Sequence, residues 1–403
     1  LSVNAELSSI TIGHSSLPTK VERKSLMDYI NYSTQLADGW WDRRSFVRHW
    51  WSIYQADRRW APFCYQQIYS DLVTASDPYL TQQQPCLLSL EALPRSRRSR
   101  EGGYDLPSAA MMEQKVAAVV GLIDSTRMDG TAYAALLHCI NHEETMERLY
   151  AAFLEQIAGD ECFRIVGPTG LSPHDPRTGV LCNSFDRIPP FFTPYNPPYV
   201  SELFELVMRP RLEMRLYHLD LAAETSRPPN LATTERIECV DPQRLLGDLF
   251  PLFQSAYLDH PEFPPPEPLE AAYLLRQWSY TPLTALTLWL DDSPIGFVLL
   301  QPDLGKVHYQ TKGGRGLLQR LWLHWRVRQP VQAGRLLIGT IQAEWRHQGF
   351  GKQLWQAALK FAAAQGWRHV SIGPILEDSD AAAFLTAMGA KPEQRYRIYA
   401  SEE

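Results

Sequence analysis

The 403-residue sequence has no Cys-x-x-Cys pair, no long apolar run and no excess of basic residues. Its six cysteines are scattered, which is typical of a reducing compartment and argues against a disulfide framework or a zinc knuckle. No apolar stretch approaches the roughly 18 residues that a membrane helix needs, and the first residues lack a signal-peptide pattern. The net charge of −6 argues against a nucleic-acid binder, because neutralising phosphates requires a basic surface. We therefore expect a cytoplasmic protein with no transmembrane segment and no nucleic-acid partner.

The composition that is present fits a folded protein of two domains. The apolar fraction of 45% and the charged fraction of 21% are close to globular averages. Domains usually contain roughly 100–200 residues, so this length suits two of them. Residues 1–25 are rich in Ser and Thr and are predicted to be a loose tail, and the polar, proline-rich segment 222–235 is the predicted linker. The predicted domains are therefore 26–221 and 236–403.

Strand and helix patterns alternate in the first half. Apolar and aromatic residues recur at helical spacing over 27–51, which predicts a helix there. Buried strands are predicted at 115–125 and 131–140, and an amphipathic helix at 142–159. The arginine-rich run at 94–100 lies among Ser, Gly and Pro, which favours a solvated loop.

One segment of the second half, EWRHQGFGKQLW at 344–355, follows a predicted strand at 336–341 and leads into a predicted helix at 351–366. Its glycines permit a tight turn and the close approach of a ligand. The first N–H groups of a helix have no intrahelical partner and carry about half a positive charge, and the arginine adds a bidentate cation. The pattern predicts a pyrophosphate site, although a helix start with glycines for packing has the same letters. It is neither a P-loop nor a dinucleotide fingerprint.

This segment resembles the VxPExRxxGxG signature of the GCN5-related N-acetyltransferase (GNAT) superfamily. The matching positions are Ile341-x-Ala343-Glu344-x-Arg346-x-x-Gly349-x-Gly351. The resemblance covers roughly 235–403 and implies acetyl-CoA or another acyl-CoA as cofactor, with no metal. It implies that the backbone around the glycines binds the diphosphate and that the preceding strand faces the pantetheine arm. The implied cofactor residues are Ile338, Gly339, Thr340, Ile341, Arg346, His347, Gln348, Gly349, Phe350, Gly351 and Lys352, with Ser379 in place of an asparagine often used by the family.

Two further segments resemble a group of uncharacterised bacterial two-domain GNAT-like proteins. These are TPYNPPYV at 193–200 and the C-terminal ILED…GA…YRIY pattern that begins at Ile375. The implied fold class is α/β, with two tandem GNAT-like domains, each a central mixed, mostly antiparallel twisted sheet flanked by helices. The domain at 26–221 would be degenerate, because its junction CINHEETMER at 139–148 has no glycine pair. We expect that domain not to bind CoA.

Candidate catalytic residues are less clearly defined. Acyl transfer from a thioester to an amine needs a base for the amine and an acid for the leaving thiolate. The tyrosine that the family uses as the acid would fall at Leu385, so that assignment fails here. Glu377 and Asp378 are the best base candidates if they are not merely exposed loop residues, and Tyr396 and Tyr399 are substitute acids.

The TPYNPPYV segment offers Tyr195, Asn196 and Tyr199 as candidate substrate-binding residues between the domains. The alternative is a rigid loop that packs the two domains together. A basic, tryptophan-rich stretch at 306–329 could bind an anionic or lipid surface as an amphipathic helix, or form a helix over the acceptor cleft. His138 and His142 have metal-ligand spacing, but His138 falls on a predicted strand, so no metal site is expected.

The predicted function is that of an acyl-CoA-dependent N-acyltransferase. The simplest reaction is acetyl transfer to an amine of a small molecule or peptide, by direct attack in a ternary complex. Two alternatives stay open: a non-catalytic CoA-binding or scaffold protein, and an acyltransferase that acts on a carrier-protein or peptide partner. The acceptor, the acyl chain length and the oligomeric state are not defined by the sequence.

Overall fold

The structure is a computed structural model that describes residues 29–94, 113–123, 130–157, 164–221 and 234–401. These residues form thirteen strands and eleven α-helices. The strands are β1 Tyr29–Leu36, β2 Cys86–Pro94, β3 Gln114–Ile123, β4 Thr131–Cys139, β5 Arg164–Thr169, β6 Val180–Leu181, β7 Arg209–Asp220, β8 Glu235–Val240, β9 Thr284–Leu290, β10 Ser293–Pro302, β11 Ala333–Ile341, β12 His369–Leu376 and β13 Lys391–Ala400. The helices are α1 Trp40–Tyr54, α2 Tyr65–Tyr69, α3 Pro78–Gln82, α4 Glu143–Ile157, α5 Val200–Val207, α6 Phe250–Ser255, α7 Pro268–Trp278, α8 Gly305–Thr311, α9 Leu317–Arg326, α10 Phe350–Ala364 and α11 Asp380–Ala387.

All described strands belong to one sheet, in the order β1-β2-β3-β4-β5-β13-β7-β12-β11-β10-β9-β8, with β6 paired to β13. Two neighbouring pairs are parallel, β4 with β5 and β11 with β12. The other pairs are antiparallel. The sheet is therefore mixed and mostly antiparallel with flanking helices, as predicted.

The two halves of the chain exchange their last strands. β13, the last strand of the second half, pairs with β5 of the first half. β7, the last strand of the first half, pairs with β12 of the second. The two exchanged strands also pair with each other, from Lys391 opposite His218 to Ala400 opposite Arg209. Each half of the sheet is thus completed by a strand from the other half.

Three of the elements predicted for the first half are confirmed, and one predicted helix is wrong. The strands β3 and β4 and the helix α4 confirm three predictions. The helix predicted over 27–51 is wrong, because 29–36 is the edge strand β1 and a helix begins only at Trp40. Asp38 and Gly39 separate the two elements, and aromatic and β-branched residues at this spacing suit a strand as well as a helix. The predicted tail, residues 95–100 of the arginine run and residues 222–233 of the predicted linker lie outside the described residues.

One apolar core extends through both halves of the chain. It joins buried aromatic side chains of α1, such as Trp50 and Trp51, to Phe253 and Trp278 of the second half. A second core lies under α10 and α11 on the other side of the β11–β12 region and includes Trp355 and Trp367. Because burying apolar area is the main favourable term in folding, the shared core ties the stability of each half to the other.

Separated halves should not fold alone. Residues 1–221 would lose β13, and residues 234–403 would lose β7, so each would expose an unpaired edge and part of the shared core. We expect neither fragment to show a cooperative unfolding transition by circular dichroism, whereas co-expression should give a soluble complex. A cooperative transition in either fragment alone would contradict the strand exchange.

Stability should fall in acid partly through His308. This histidine is buried in contact with Phe191, neither ring nitrogen has a partner among the described residues, and burial lowers its pKa to about 3. A folded-state pKa below the ordinary 6.5 gives stability that is present above about pH 6.5 and is lost as the pH falls towards 3.

The variant His308→Phe keeps an aromatic ring and removes this titration. We expect the loss of unfolding free energy between pH 6 and pH 4, measured by urea denaturation, to be smaller by up to about 1.4 kcal/mol per pH unit. The exposed His324, changed to Gln, is the control. Equal slopes in the wild type and His308→Phe would contradict the assignment.

Candidate functional site

A fork opens between the parallel strands β11 and β12. They pair only from Ala333 opposite His369 to Leu336 opposite Ile372. Beyond that point β11 continues along β10, while Ile375 and the residue after it pair with β7. Gly373 begins the divergence with a φ of +97°, and a Cβ there would lie 2.8 Å from the Ile375 nitrogen, so the bend requires glycine. The fork exposes strand backbone in the middle of the sheet.

A turn joins the open end of β11 to α10. A 3₁₀ turn at Ala343–Trp345 is followed by His347 with a φ of +61° and by Gly349 with a φ of +92° at the N-cap of α10. Arg346 ties this turn to the strand, because its Nε donates to the Ile341 carbonyl at 3.1 Å. The turn is therefore held at the mouth of the fork.

The turn presents a row of unpaired backbone donors. The amides of Lys352 and Gln353 donate to the Gly349 carbonyl, at 3.0 and 3.3 Å. Within the described chain, the five preceding amides, 347–351, have no backbone acceptor. A Cβ on Gly349 would meet nothing within 4 Å, so the space beside the donors is open. A helix N-terminus with five free amides and an open approach is suited to an anion.

Arg346, a predicted diphosphate ligand, has partners within the protein. Its Nη1 contacts the Asp259 carboxylate at 2.6 Å, so the guanidinium already has a carboxylate and a carbonyl as partners. His347 is exposed and lies 3.9 Å from Asp380. The sequence predicts a site at this segment, but it gave no sign that Asp259 would lie beside it.

The four predicted strand residues lie along one side of the fork. Residues 334–337 of β11 are buried, whereas Ile338, Thr340 and Ile341 are half-buried and Gly339 is exposed. The change from buried to accessible coincides with the loss of pairing to β12. These residues can therefore contact an extended ligand arm that enters the fork.

The predicted bases lie just beyond the end of β12. Glu377 and Asp378 are both exposed. Glu377 accepts a hydrogen bond from Arg215 of β7 at 2.7 Å, and this contact lowers the pKa of the Glu377 carboxyl. No partner of Asp378 occurs among the described residues. The pair of carboxylates is thus accessible, with one of them held by a strand from the first half.

The predicted acids are buried. The Tyr396 hydroxyl donates to Gln394 at 3.3 Å, and the Tyr399 hydroxyl donates to the Ser201 carbonyl at 3.4 Å. Burial raises the pKa of both tyrosines, so both stay protonated at neutral pH. Tyr399 also stacks on Phe204, and its own strand β13 pairs with β5 at this point. Tyr399 therefore lies against the first half.

Two positions of α11 depart from the family pattern. The hydroxyl of Ser379 accepts from the Ala382 amide at 3.2 Å and donates to the Leu376 carbonyl at 2.7 Å, so it caps the helix. Leu385, at the position of the family tyrosine, is 4% exposed and packs in the core under α10. A leucine there cannot donate a proton.

The candidate substrate residues make internal contacts within the first half. Tyr195 donates to Asp57 at 2.9 Å, and Tyr199 donates to the Cys139 carbonyl at 3.0 Å. The Asn196 amide accepts from the Leu181 backbone and donates back to it, at 2.7 and 3.1 Å. These bonds engage the two hydroxyls and the side-chain amide.

The parallel pair of the first half also forms a fork, and side chains fill it. Pairing of β4 with β5 ends at Ala135 opposite Thr169. Trp50 of α1 enters there, with its ring 4.2 Å from that of His138 and its Nε1 bonded to the Leu136 carbonyl. The remaining cavity of about 40 Å³ has room for a few water molecules.

Sequence reasoning missed Arg335. It is fully buried on β11, with Gln301 opposite on β10 and Ser371 opposite on β12. Its Nη2 donates across the base of the fork to the Gly373 carbonyl at 2.6 Å, whereas Nε and Nη1 have no partner among the described residues. Burial lowers its pKa to about 10, so it stays charged at neutral pH. The sequence feature that could have drawn attention to Arg335 is its position inside the otherwise apolar strand AGRLLIGTI.

Neither a membrane-spanning helix nor a metal cluster occurs in the described part of the chain. Each described helix is too short or too polar to cross a bilayer. No three His, Cys, Asp or Glu side chains of these residues converge as metal ligands would.

Comparisons with known proteins agree with this geometry. The fold is similar to that of a tandem GNAT protein from the clavulanic acid biosynthesis pathway, with 13% identity, 92% of this chain and 98% of that chain covered, and a TM-score of 0.55. A GCN5-related N-acetyltransferase from Sphaerobacter thermophilus aligns at 11% identity over 92% of this chain and 95% of its own, with a TM-score of 0.48. No curated protein sequence matches.

The first of these structures defines the class: the chain has a tandem GNAT fold, which confirms the predicted fold class. Residues 250–390 match the acetyltransferase (GNAT) family. This stretch contains the fork, the turn and α10, and its match confirms the predicted resemblance to the GNAT superfamily.

Proposed function

We propose that this protein is an acyl-CoA-dependent N-acyltransferase, most simply one that moves an acetyl group to an amine of a small molecule or peptide. The observation that carries the proposal is the row of five free amides, 347–351, beside an open fork. A diphosphate needs several donors at one point, and an extended arm needs an accessible strand. Both lie in the GNAT domain at 250–390.

The residues divide into binding and positioning roles. Backbone amides of His347, Gln348, Gly349, Phe350 and Gly351 would hold the diphosphate, with Lys352 nearby, and residues 338–341 would line the arm. Because Arg346 is bonded to Ile341 and Asp259, we assign it to holding the shape of the turn. Ser379 would act only through the cap of α11.

The chemistry requires two proton movements. Acetyl-CoA, when bound, supplies an acyl thioester. Glu377 or Asp378, directly or through water, would take the proton of the acceptor amine. We assign the proton for the leaving thiolate to Tyr396, which is protonated and lies within the field of the charged Arg335. The unpaired donors of Arg335 would serve a polar group of the acceptor at the base of the fork.

The first half would act as a scaffold. Its fork holds Trp50 and His138, and α4 begins with two acidic residues, Glu143 and Glu144, which would repel a diphosphate. The bonds of Tyr195, Asn196 and Tyr199 stay within the first half and support the same role, in which the TPYNPPYV segment stabilises the scaffold itself.

A second candidate is a protein that binds CoA without turnover. The buried Leu385 favours it, because the family tyrosine is replaced by a side chain that cannot transfer a proton. The two candidates share the cofactor site and differ only in catalysis.

Binding of acetyl-CoA, measured by isothermal titration calorimetry, should depend on the charge beside the free amides. Gly349→Asp adds a carboxylate to the anion site, and we expect at least a tenfold loss of affinity. Arg346→Ala should weaken binding less, because the arginine only holds the turn.

A matched control exists at the other end of the same helix. Gly366, like Gly349, has a positive φ, and a Cβ on it would meet nothing within 4 Å. Gly366→Asp should therefore bind acetyl-CoA like the wild type. Equal affinities for the two Asp variants would remove the cofactor site from this turn.

Turnover should depend on pH through the Arg215–Glu377 pair. Arg215 lowers the pKa of Glu377, so Arg215→Met should raise that pKa. The acid limb of the pH–rate profile, measured as the rate of thiol release, should then move to higher pH. Arg211→Met, which breaks another ion pair of β7, is the control. An acid limb that Arg215→Met leaves unchanged would exclude Glu377 as the base. Wild-type protein that binds acetyl-CoA but releases no thiol with any amine would favour the non-catalytic candidate.

A further inference from the structure

The connection between β10 and β11 is much longer than the sheet requires. The two strands are antiparallel neighbours, with Pro302 opposite Gly334, and a short turn could join them. The chain instead leaves the sheet over 303–332, a segment that contains α8 and α9. It is anchored on the first half, because Gly313 packs so closely on the Phe63 carbonyl that a Cβ would lie 2.3 Å from it. The excursion is therefore a fixed part of the surface.

Helix α9 turns its apolar side to solvent. Leu323 is its one buried residue. Five large apolar side chains have exposed fractions between 44% and 80%: Leu317, Leu318, Leu321, Trp322 and Trp325. At about 100° per residue these positions form one continuous stripe, and Leu323 lies on the opposite side of the helix. The stripe thus has no partner among the described residues.

The stripe lies in an acid-free stretch of an acidic protein. No Asp or Glu occurs from 304 to 343, although the chain has a net charge of −6. Arg320 and His324 flank the stripe on one side and Arg326 flanks it on the other. None of the six accessible cations of the segment forms an ion pair within the described residues; they are Lys306, Lys312, Arg315, Arg320, Arg326 and Arg328.

We propose that α9 is an interfacial helix that attaches the protein to an anionic lipid surface. A helix with Leu and Trp on one face and cations along its borders lies in the plane of the lipid interface, with the rings at headgroup level. Ten residues are too few to cross a bilayer, so the helix would lie on the membrane rather than span it. The cations, none of which forms an ion pair within the described residues, supply the attraction to anionic headgroups.

The charge pattern argues against a second copy as the occupant. A symmetric dimer through this face would bring the same cations of two chains together without a carboxylate between them. An acidic protein would match the charge, but it would also have to supply an apolar groove shaped to this one helix. A lipid surface requires no matching shape.

Attachment would leave the acyl-CoA site free. The excursion joins the first residue of β11, whereas the turn at 342–349 follows its last residue. A nine-residue strand separates the two regions by about 30 Å. The lipid proposal is therefore independent of the proposed acyl transfer, and its test needs no CoA.

Co-sedimentation with vesicles tests the proposal on the full chain. Wild-type protein should bind phosphatidylcholine vesicles that contain phosphatidylglycerol more tightly than pure phosphatidylcholine, and added salt should weaken that binding. The double variant Leu318→Ser/Trp325→Ser should bind at least tenfold more weakly. Arg320→Gln and Arg328→Gln should each cost about fivefold on anionic vesicles alone.

The matched control is Trp41→Ser, which removes a tryptophan that is 72% exposed on a different helix, α1. It should bind vesicles like the wild type. No sedimentation with anionic vesicles would overturn the proposal, as would equal losses for Trp41→Ser and the α9 variants. A dimer in analytical ultracentrifugation that the α9 double variant converts to monomer would also overturn it, because the stripe would then be a protein interface.

Discussion

The separation of β11 from β12 is the constraint on which the rest of the structure depends. Two parallel strands part only if each has another neighbour to pair with. β11 stays on β10, and β12 stays on β7, where Ile375 lies opposite Arg215. Because β7 belongs to the first half, that half holds open a fork that lies in the second. This relation gives the first half a physical role even though Trp50 fills its own fork.

The sequence predicted local features well and distant contacts poorly. Gly349, Gly351 and the helix after them are adjacent in the sequence, so their spacing alone was sufficient to predict the turn and the helix start there. The exchange of β7 and β13 was not predictable in this way, because apolar strands do not specify their partners until the whole sheet is assembled. The contacts of Arg335 with Gly373 and of Arg346 with Asp259 were likewise not predictable, because they join residues that are distant in the sequence.

The two ends of β11 lead to regions of different electrostatic character. One end of the strand leads to free amides that suit an anion, and the other follows a connection whose cations form no ion pair within the described residues. Elsewhere arginines are commonly paired, as Arg276 is with Asp71 and Arg397 with Glu213. Accessible donors and cations without an ion pair can bind a ligand at no cost in internal contacts. We therefore regard the two ends of β11 as separate binding regions, one for an acyl carrier and one for a surface.

The central claim is that the free amides at 347–351, and not the first half, bind the acyl-CoA. Amide hydrogen exchange, followed by mass spectrometry with and without saturating acetyl-CoA, tests it most directly. The account predicts slower exchange over 347–351 and along 338–341, with the junction at 139–146 of the first half unchanged. Unchanged exchange at 347–351, or slowing confined to 139–146, would contradict it.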